Sequence, residues 1–158
     1  MKILVVQNKM GIGDMIIYLP FIDAISKKFN TPVSILAKQS SRAEQFLKDH
    51  KNIEKIITLE QSNKLKGAKH QGFSGFINLV KDLRKHNFDK IFIFNSSLRF
   101  YLIAKCAGIK DIHQYSLFTK KNQHVVDAAK KFINQNLNLI VESDPKIFIN
   151  DKSVQNVK

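Results

Sequence analysis

The sequence predicts an α/β protein with a Rossmann-like, doubly wound parallel sheet. Residues 2–6 form a short, β-branched apolar run, which is the pattern of a central strand covered on both faces. Similar runs then alternate with segments of helical periodicity, and this alternation implies right-handed crossovers between parallel strands. A length of 158 residues suits a single domain of this class.

The individual elements follow from local patterns. In the first helix, apolar residues recur at steps of four from Ile17 to Phe29 and line one face. Asp14 stands before it at the expected N-cap position, after a turn eased by Gly11 and Gly13. The predicted strands are 2–6, 33–37, 53–59, 90–94, 111–115 and 144–149, and the predicted helices are 15–28, 42–48, 76–86, 97–107 and 124–136. Residues 1–149 are expected to form one domain with a sheet ordered 3-2-1-4-5, and 150–158 the start of an inter-domain linker or a tail.

Composition narrows the function classes. The 26 basic residues against 13 acidic ones give a net charge of +13, which favours an anionic partner such as a glycolipid, a membrane surface or a nucleic acid. Nucleic acid is the least favoured, because only three of the bases are Arg, the better fork for phosphate. The alternative is that lysine simply covers the solvated surface.

The sequence predicts neither a membrane span nor a metal site. No apolar run approaches the ~18 residues of a transmembrane helix, and the N-terminus lacks a signal-peptide pattern. We therefore expect a cytoplasmic protein, with peripheral contact at the inner face of the membrane as an open option. The single cysteine, Cys106, is expected to be buried and inert, and no Cys/His cluster has metal-ligand spacing.

Two common nucleotide-binding motifs do not fit the first turn. A dinucleotide fingerprint requires a third glycine where the chain has Ile16, and an acid where it has Lys38. A P-loop requires Lys-Ser/Thr where the chain has Asp14-Met15. A carboxylate at a helix start also repels a phosphate arriving there. The turn is therefore not expected to cradle phosphate.

The opening stretch resembles that of the family 9 glycosyltransferases, the lipopolysaccharide heptosyltransferases and their relatives. The matching residues are the strand 1–6, the turn Gly11-Ile12-Gly13-Asp14, and an apolar run through Leu19-Pro20 to Ala24-Ile25. In that family the aspartate of the Gly-Asp pair is regarded as the base that deprotonates the acceptor hydroxyl. The resemblance therefore implies a catalytic role for Asp14.

The resemblance also implies a domain organisation. Full-length family members are two-domain GT-B enzymes whose C-terminal domain binds the nucleotide-sugar donor. The resemblance covers nearly all 158 residues, so it implies an N-terminal, acceptor-binding half without the donor domain. Such a half is expected to need no metal and no cofactor, with the nucleotide-sugar donor as co-substrate. The transfer is expected to invert the configuration at the anomeric carbon. The half is expected to be inactive unless a donor domain, separate or missing from this chain, is supplied.

The expected site is the crevice between the first and fourth strands. In a sheet ordered 3-2-1-4-5 the connections after these two strands leave in opposite directions, and α/β folds bind ligands at that point. Residues 9–14 and 95–99 would line it. The long stretch 60–75 is expected to be a mobile basic loop that meets an anionic acceptor.

Acceptor binding is predicted for residues that share this edge of the sheet. Arg42 and Arg99 follow the second and fourth strands and can hold carboxylate or phosphate groups by bidentate contacts. His124 enters through the resemblance, because family members often carry a histidine at the start of a late helix. The candidates are Lys9, Gly11, Gly13, Arg42, Lys64, Lys66, Lys69, Asn95, Ser96, Arg99 and His124.

Two functions remain open from the sequence. The first is transfer of a sugar from a nucleotide-sugar to a lipopolysaccharide-type or other anionic glycan acceptor, where one placed carboxylate contributes about 10²–10⁴-fold as general base. The alternative is a non-catalytic, basic Rossmann-like module that binds an anionic glycolipid or nucleic acid. Binding of the second kind falls steeply with salt and is indifferent to Asp14.

Overall fold

A computed structural model of the chain describes residues 1–9, 11–61, 67–116 and 124–143. The strands are β1 Ile3–Gln7, β2 Val33–Lys38, β3 Ile53–Leu59, β4 Lys90–Ile93 and β5 Asp111–Gln114. The α-helices are α1 Ile12–Phe29, α2 Ala43–Leu47, α3 Gly72–Arg84, α4 Leu98–Cys106 and α5 Val125–Leu137. The strand predicted at 144–149 and the tail at 150–158 lie outside the described residues.

The strands form one parallel sheet in the order β3-β2-β1-β4-β5. Val5 of β1 lies opposite Ile35 on one side and Phe92 on the other. All five residues of β1 are buried, as an apolar run covered on both faces predicts. The predicted strand order and the α/β class are confirmed.

Helices cover both faces of the sheet. On one face α1, α2 and α5 pack over Ile3 and Val5, in a cluster that includes Phe21 and Phe132. On the other face α3 and α4 pack over Leu4 and Val6. Because successive side chains of a strand point to opposite faces, the single run of β1 supplies both halves of the core.

The first helix begins earlier than the sequence predicts. Gly11 is the N-cap and Asp14 is the third helical residue, so the prediction that Asp14 is the N-cap is wrong. Gly11 has an extended backbone with φ of −97°, and Gly13 already lies in the helix. Neither glycine is needed for a left-handed turn, and the helix tolerates the Gly-Ile-Gly start because its apolar face is buried under α5.

Two further expectations are corrected. The helix α3 starts at Gly72 rather than residue 76, so it takes up the last part of the predicted loop 60–75. Cys106 is exposed rather than buried, because it ends α4 on the solvent side. No helix in the described part of the chain is long and apolar enough to cross a membrane.

Candidate functional site at the carboxyl edge of the sheet

A hydrogen bond closes the crevice between β1 and β4 at its base. Asn95, just after β4, donates from Nδ2 to Asn8 Oδ1 just after β1, at 3.3 Å. Its own Oδ1 accepts the backbone N–H of Ser97 at 2.9 Å, where α4 begins. Gln114 on β5 donates from Nε2 to the carbonyls of Asn95 and Ser97 at 3.0 and 2.9 Å. The turn after β4 is therefore held by hydrogen bonds to Asn8 after β1, to Gln114 on β5 and within the turn itself.

Asp14 lies at the first turn of α1, on the β1 side of this crevice. Its Oδ2 accepts the backbone N–H of Gly11 at 3.3 Å, one of the four N–H groups that a helix start leaves unpaired. The helix dipole also favours a negative charge there. The backbone thus places an ionisable carboxylate at the switch point of the sheet. We call Asn8, Asp14, Asn95 and Gln114 the crevice cluster.

Two buried polar side chains, Tyr18 and Gln7, lie next to members of the crevice cluster. Tyr18, one helical turn after Asp14, is buried, and its ring contacts Phe94 at 5.1 Å between centroids. Burial is the main reason that the pKa of Tyr18 is raised, and the Asp14 carboxylate adds to it. Gln7 is buried and accepts the backbone N–H of Lys9 at 3.0 Å, while its Nε2 has no hydrogen-bond partner among the described residues. The protein interior next to the crevice cluster is therefore polar as well as packed.

A second polar cluster lies farther along the same edge, where the chain enters α3. The buried His70 accepts the backbone N–H of Glu60 at Nδ1, 3.0 Å away. Its Nε2 must therefore carry the proton, which it donates to Asp82 at 3.2 Å. Lys69 and Lys85 contact the same carboxylate at 2.6 and 3.3 Å. Burial alone would raise the pKa of Asp82, but these hydrogen bonds lower it to about 2.

Arg99 joins this second cluster from α4. Its guanidinium donates to the backbone carbonyls of His70 and Gly72, each at 3.0 Å, and lies 6.0 Å from the centre of the Phe76 ring. Arg99 therefore ties the first turn of α4 to the turn before α3. We call Lys69, His70, Asp82 and Arg99 the loop cluster.

The structure places the predicted acceptor residues in different surroundings. Lys9 and Ser96 are exposed beside the crevice, and Arg42 is exposed at the start of α2, after β2. His124 is the N-cap of α5, where Nδ1 accepts the Val126 N–H at 3.4 Å. Lys69 and Arg99 belong to the loop cluster. Lys64 and Lys66 lie outside the described residues.

Sequence reasoning missed several residues of the crevice. Asn8, Gln7 and Gln114 all lie at the ends of strands, and a polar side chain at the carboxyl end of a buried strand is the signal that could have identified them. Tyr18 could have been found from its place one helical turn after Asp14.

Other features of the surface are less suited to be the site. A cavity of about 490 Å³ on α3 shares no lining residue with the crevice cluster, and its one carboxylate, Asp82, is already paired with Lys69 and Lys85. The cavity is lined by Lys69, Asn78, Lys81, Asp82, Arg84 and Lys85. Among the described residues, no group of three or more His, Cys, Asp or Glu side chains is arranged to hold a metal ion. The crevice cluster therefore remains the best candidate.

Comparison with solved structures identifies the fold. A family 9 glycosyltransferase from Veillonella parvula superposes with a TM-score of 0.68 at 17% identity, covering 99% of this chain and 50% of that one. Escherichia coli ADP-heptose lipopolysaccharide heptosyltransferase II gives 0.60 at 15% identity, covering 99% and 49%. Escherichia coli heptosyltransferase WaaC with ADP-2-deoxy-2-fluoro heptose gives 0.55 at 13%, covering 99% and 53%. No protein-family sequence model and no curated protein matches the sequence.

The chain therefore has a glycosyltransferase-like fold, similar to that of family 9 and of heptosyltransferases, and it spans about half the length of these proteins. The resemblance drawn from the first 25 residues is confirmed at the level of fold along the chain. The role of each site residue stays a prediction.

Proposed function

We propose that these residues form the acceptor-binding half of a metal-independent glycosyltransferase of the heptosyltransferase type, with Asp14 as its general base. The observation that carries the proposal is the position of Asp14: a carboxylate held by only one described hydrogen bond, 3.3 Å from the Gly11 nitrogen, at the switch point where α/β folds bind ligands. The similarity to heptosyltransferases over about half their length supports the same assignment.

The proposed step needs only one protein group on the acceptor side. The acceptor hydroxyl attacks the anomeric carbon of the sugar, the bond from that carbon to the nucleoside diphosphate breaks, and the diphosphate leaves with the electron pair. The hydroxyl proton passes to the Asp14 carboxylate. Such a base contributes about 10²–10⁴-fold. The donor, a nucleotide-sugar such as an ADP-heptose, would be held by the other half of such an enzyme.

The acceptor is proposed to be an anionic glycan of the lipopolysaccharide type. The amide groups of Asn8 and Asn95 can bind sugar hydroxyls, and Lys9 and Arg42 are exposed cations at the same edge. The two helix starts at this edge, those of α1 and α4, add partial positive charge. The expected location is the cytoplasmic side of the membrane, where nucleotide-sugars are available to such enzymes.

The test supplies the chain with a donor-binding half, joined after Lys158 or added separately, and follows release of the nucleoside diphosphate. We expect Asp14→Asn to lower turnover by about 10²–10⁴-fold with an unchanged circular dichroism spectrum. The matched control is Asp127→Asn, because Asp127 occupies the same position in the first turn of α5. Unchanged turnover in Asp14→Asn would remove Asp14 as the base.

Turnover and binding measured together separate this proposal from the alternative of a non-catalytic module. If no donor half yields turnover, and the wild type and Asp14→Asn bind anionic glycans with equal affinity, the alternative is favoured. Under that alternative the affinity also falls steeply as salt is raised.

A further inference from the structure

The outer surface of α3 and α4 carries an unusual concentration of exposed apolar side chains. Of the seven large hydrophobic residues that are exposed in the described part of the chain, four lie on these two helices. Phe73 is 81% exposed and Ile77 39% exposed on α3; Leu98 is 54% and Leu102 42% exposed on α4. The two residues of each pair are four positions apart in the sequence, so each pair forms one stripe along its helix.

The two helices that carry the stripes lie side by side. Arg99, which follows Leu98, donates to the carbonyl of Gly72, which precedes Phe73, so the first turns of α3 and α4 are adjacent. At the opposite ends, Arg84 of α3 donates to the Cys106 carbonyl of α4 at 2.7 Å. Helices joined at both ends in this way run parallel. We call Phe73, Ile77, Leu98 and Leu102 the apolar seam.

Basic residues outnumber acidic ones on the two helices that carry the apolar seam. The helices α3 and α4 contain the bases Lys81, Arg84, Arg99 and Lys105, and Asp82 is their only acid. That acid is already paired with Lys69 and Lys85, so it offers little negative charge to the surroundings. The net charge of +13 has the same sign.

We propose that the apolar seam docks this domain on an anionic phospholipid bilayer. Apolar side chains that enter the boundary between headgroups and acyl chains, flanked by lysine and arginine at the headgroups, are the chemistry of interfacial membrane binding. Long basic side chains can extend to the phosphates while their methylene stems lie on the apolar surface. Charge complementarity favours this occupant over a second copy of the chain, because two such surfaces repel each other.

The docking places the candidate site near the membrane. The first turns of α3 and α4 follow β3 and β4, so Phe73 and Leu98 lie towards the same carboxyl edge as the crevice cluster. A lipid-linked acceptor would then reach the crevice without leaving the bilayer. This consequence rests on the proposed function, whereas the docking itself does not.

The absence of tryptophan from the sequence provides a clean test. Phe73→Trp places a single fluorescent reporter in the apolar seam, and Ile140→Trp places one at a residue that is 95% exposed outside α3 and α4. Each full-length variant is titrated with vesicles of phosphatidylglycerol and phosphatidylethanolamine, and with vesicles of phosphatidylcholine alone. Brominated lipids then report the depth of the indole. Circular dichroism checks that both variants fold.

We expect the Phe73→Trp emission to shift to the blue and to be quenched by brominated lipids with the anionic vesicles only, while Ile140→Trp changes little. A general attraction of a +13 protein to anionic vesicles would affect both reporters equally and would overturn the proposal. No shift at position 73 would also overturn it. A blue shift without vesicles that grows with protein concentration would assign the seam to a second copy instead.

A second measurement tests the energetics without a new aromatic group. The variant Phe73→Ser/Leu98→Ser should lower vesicle partitioning about tenfold or more, and Ile140→Ser should leave it unchanged. Equal partitioning of the wild type and both variants would contradict docking through the apolar seam. Neither measurement uses a nucleotide-sugar or Asp14, so its failure is distinct from a failure of the proposed transfer, which can be measured with a lipid-free acceptor.

Discussion

The crevice cluster and the loop cluster lie at the same edge of one sheet, yet they use their carboxylates differently. Asp14 accepts a single described hydrogen bond, at 3.3 Å, from a backbone N–H. Asp82 contacts Lys69, His70 and Lys85 within 3.3 Å, and its pKa is lowered to about 2. A carboxylate surrounded by donors is a weak base with its lone pairs occupied.

The comparison shows that the two clusters use their charged groups for different purposes. The loop cluster uses its charges in internal bonds that hold the entry to α3, whereas the crevice cluster keeps its carboxylate available. Exposed basic residues do not distinguish the two regions, since both carry them. The two regions differ in whether the carboxylate is surrounded by hydrogen-bond donors. The following variants test this difference.

The largest effect on stability is expected next to the loop cluster, for Gly75→Ala. A Cβ at Gly75 would lie 2.1 Å from the carbonyl carbon of His70, which is backbone and cannot move freely. We expect a loss of about 3 kcal/mol or more in the free energy of unfolding. Urea titration measures it.

The matched control is Gly13→Ala at the crevice. No atom lies within 4 Å of a Cβ at Gly13, and alanine in a helix is about 0.5–1 kcal/mol more favourable than glycine. Gly13→Ala should therefore be neutral or stabilising. A loss below about 1 kcal/mol for Gly75→Ala would mean that the backbone at His70 shifts easily. That result would contradict the idea that the loop cluster holds this turn rigidly.

The next effect is expected in the crevice cluster, for Asn95→Ala. The change removes the bond to Asn8 and leaves the Ser97 N–H without its acceptor at the start of α4. We expect a loss of about 1–2 kcal/mol by urea titration. Asn95→Asp keeps an acceptor for Ser97 and should lose about half as much. If both variants lose the same stability, the hydrogen bond to Asn8 contributes the stability, and the bond to the Ser97 N–H does not.

The sheet could be predicted from sequence because burial on two faces leaves a strong signal. Each strand is a compact apolar run, and the order 3-2-1-4-5 follows from crossover handedness together with a single reversal after β3. The start of α1 could not be predicted in the same way. Gly11 and Gly13 suggested a turn that ends at Asp14, but the helix begins at Ile12 because packing outweighs the weak propensity of glycine.

The switch point between β1 and β4 could be predicted from the sequence, but only some of the residues that line it could; that a ligand binds there stays a prediction. The switch point could be placed from topology, and Asp14 and Asn95 lie there. The partners could not be predicted, since Asn8 and Asn95 are 87 residues apart and meet only through the β1–β4 pairing. Arg99 was expected to hold an acceptor, and the structure shows another use: it bonds two carbonyls that lie 27 and 29 residues away. No local sequence pattern predicts such a contact.

A smaller effect is expected from pH in the loop cluster. The pKa of Asp82 is lowered from 3.8 to about 2 in the folded protein, so its ion pairs add stability above about pH 4 that is lost as the pH falls towards 2. After allowance for solvent screening this is about 1 kcal/mol. Urea titrations from about pH 5 to about pH 2 should show the loss in the wild type. In Asp82→Asn this part of the acid limb should be absent, and an unchanged limb would contradict the pairing.

The smallest effect is expected where the proposed chemistry lies. Asp14→Asn and Asp127→Asn each remove a negative charge from the first turn of a helix, worth about 0.3–1 kcal/mol. The two losses, measured by urea titration at neutral pH, should be similar, because an asparagine oxygen can still accept the Gly11 N–H. If Asp14→Asn cost about 2 kcal/mol more than Asp127→Asn, Asp14 would be a structural group. If both losses are small and equal, and only Asp14→Asn also loses transfer, Asp14 acts as a base. A role limited to stabilising the first turn of the helix would change stability without changing transfer.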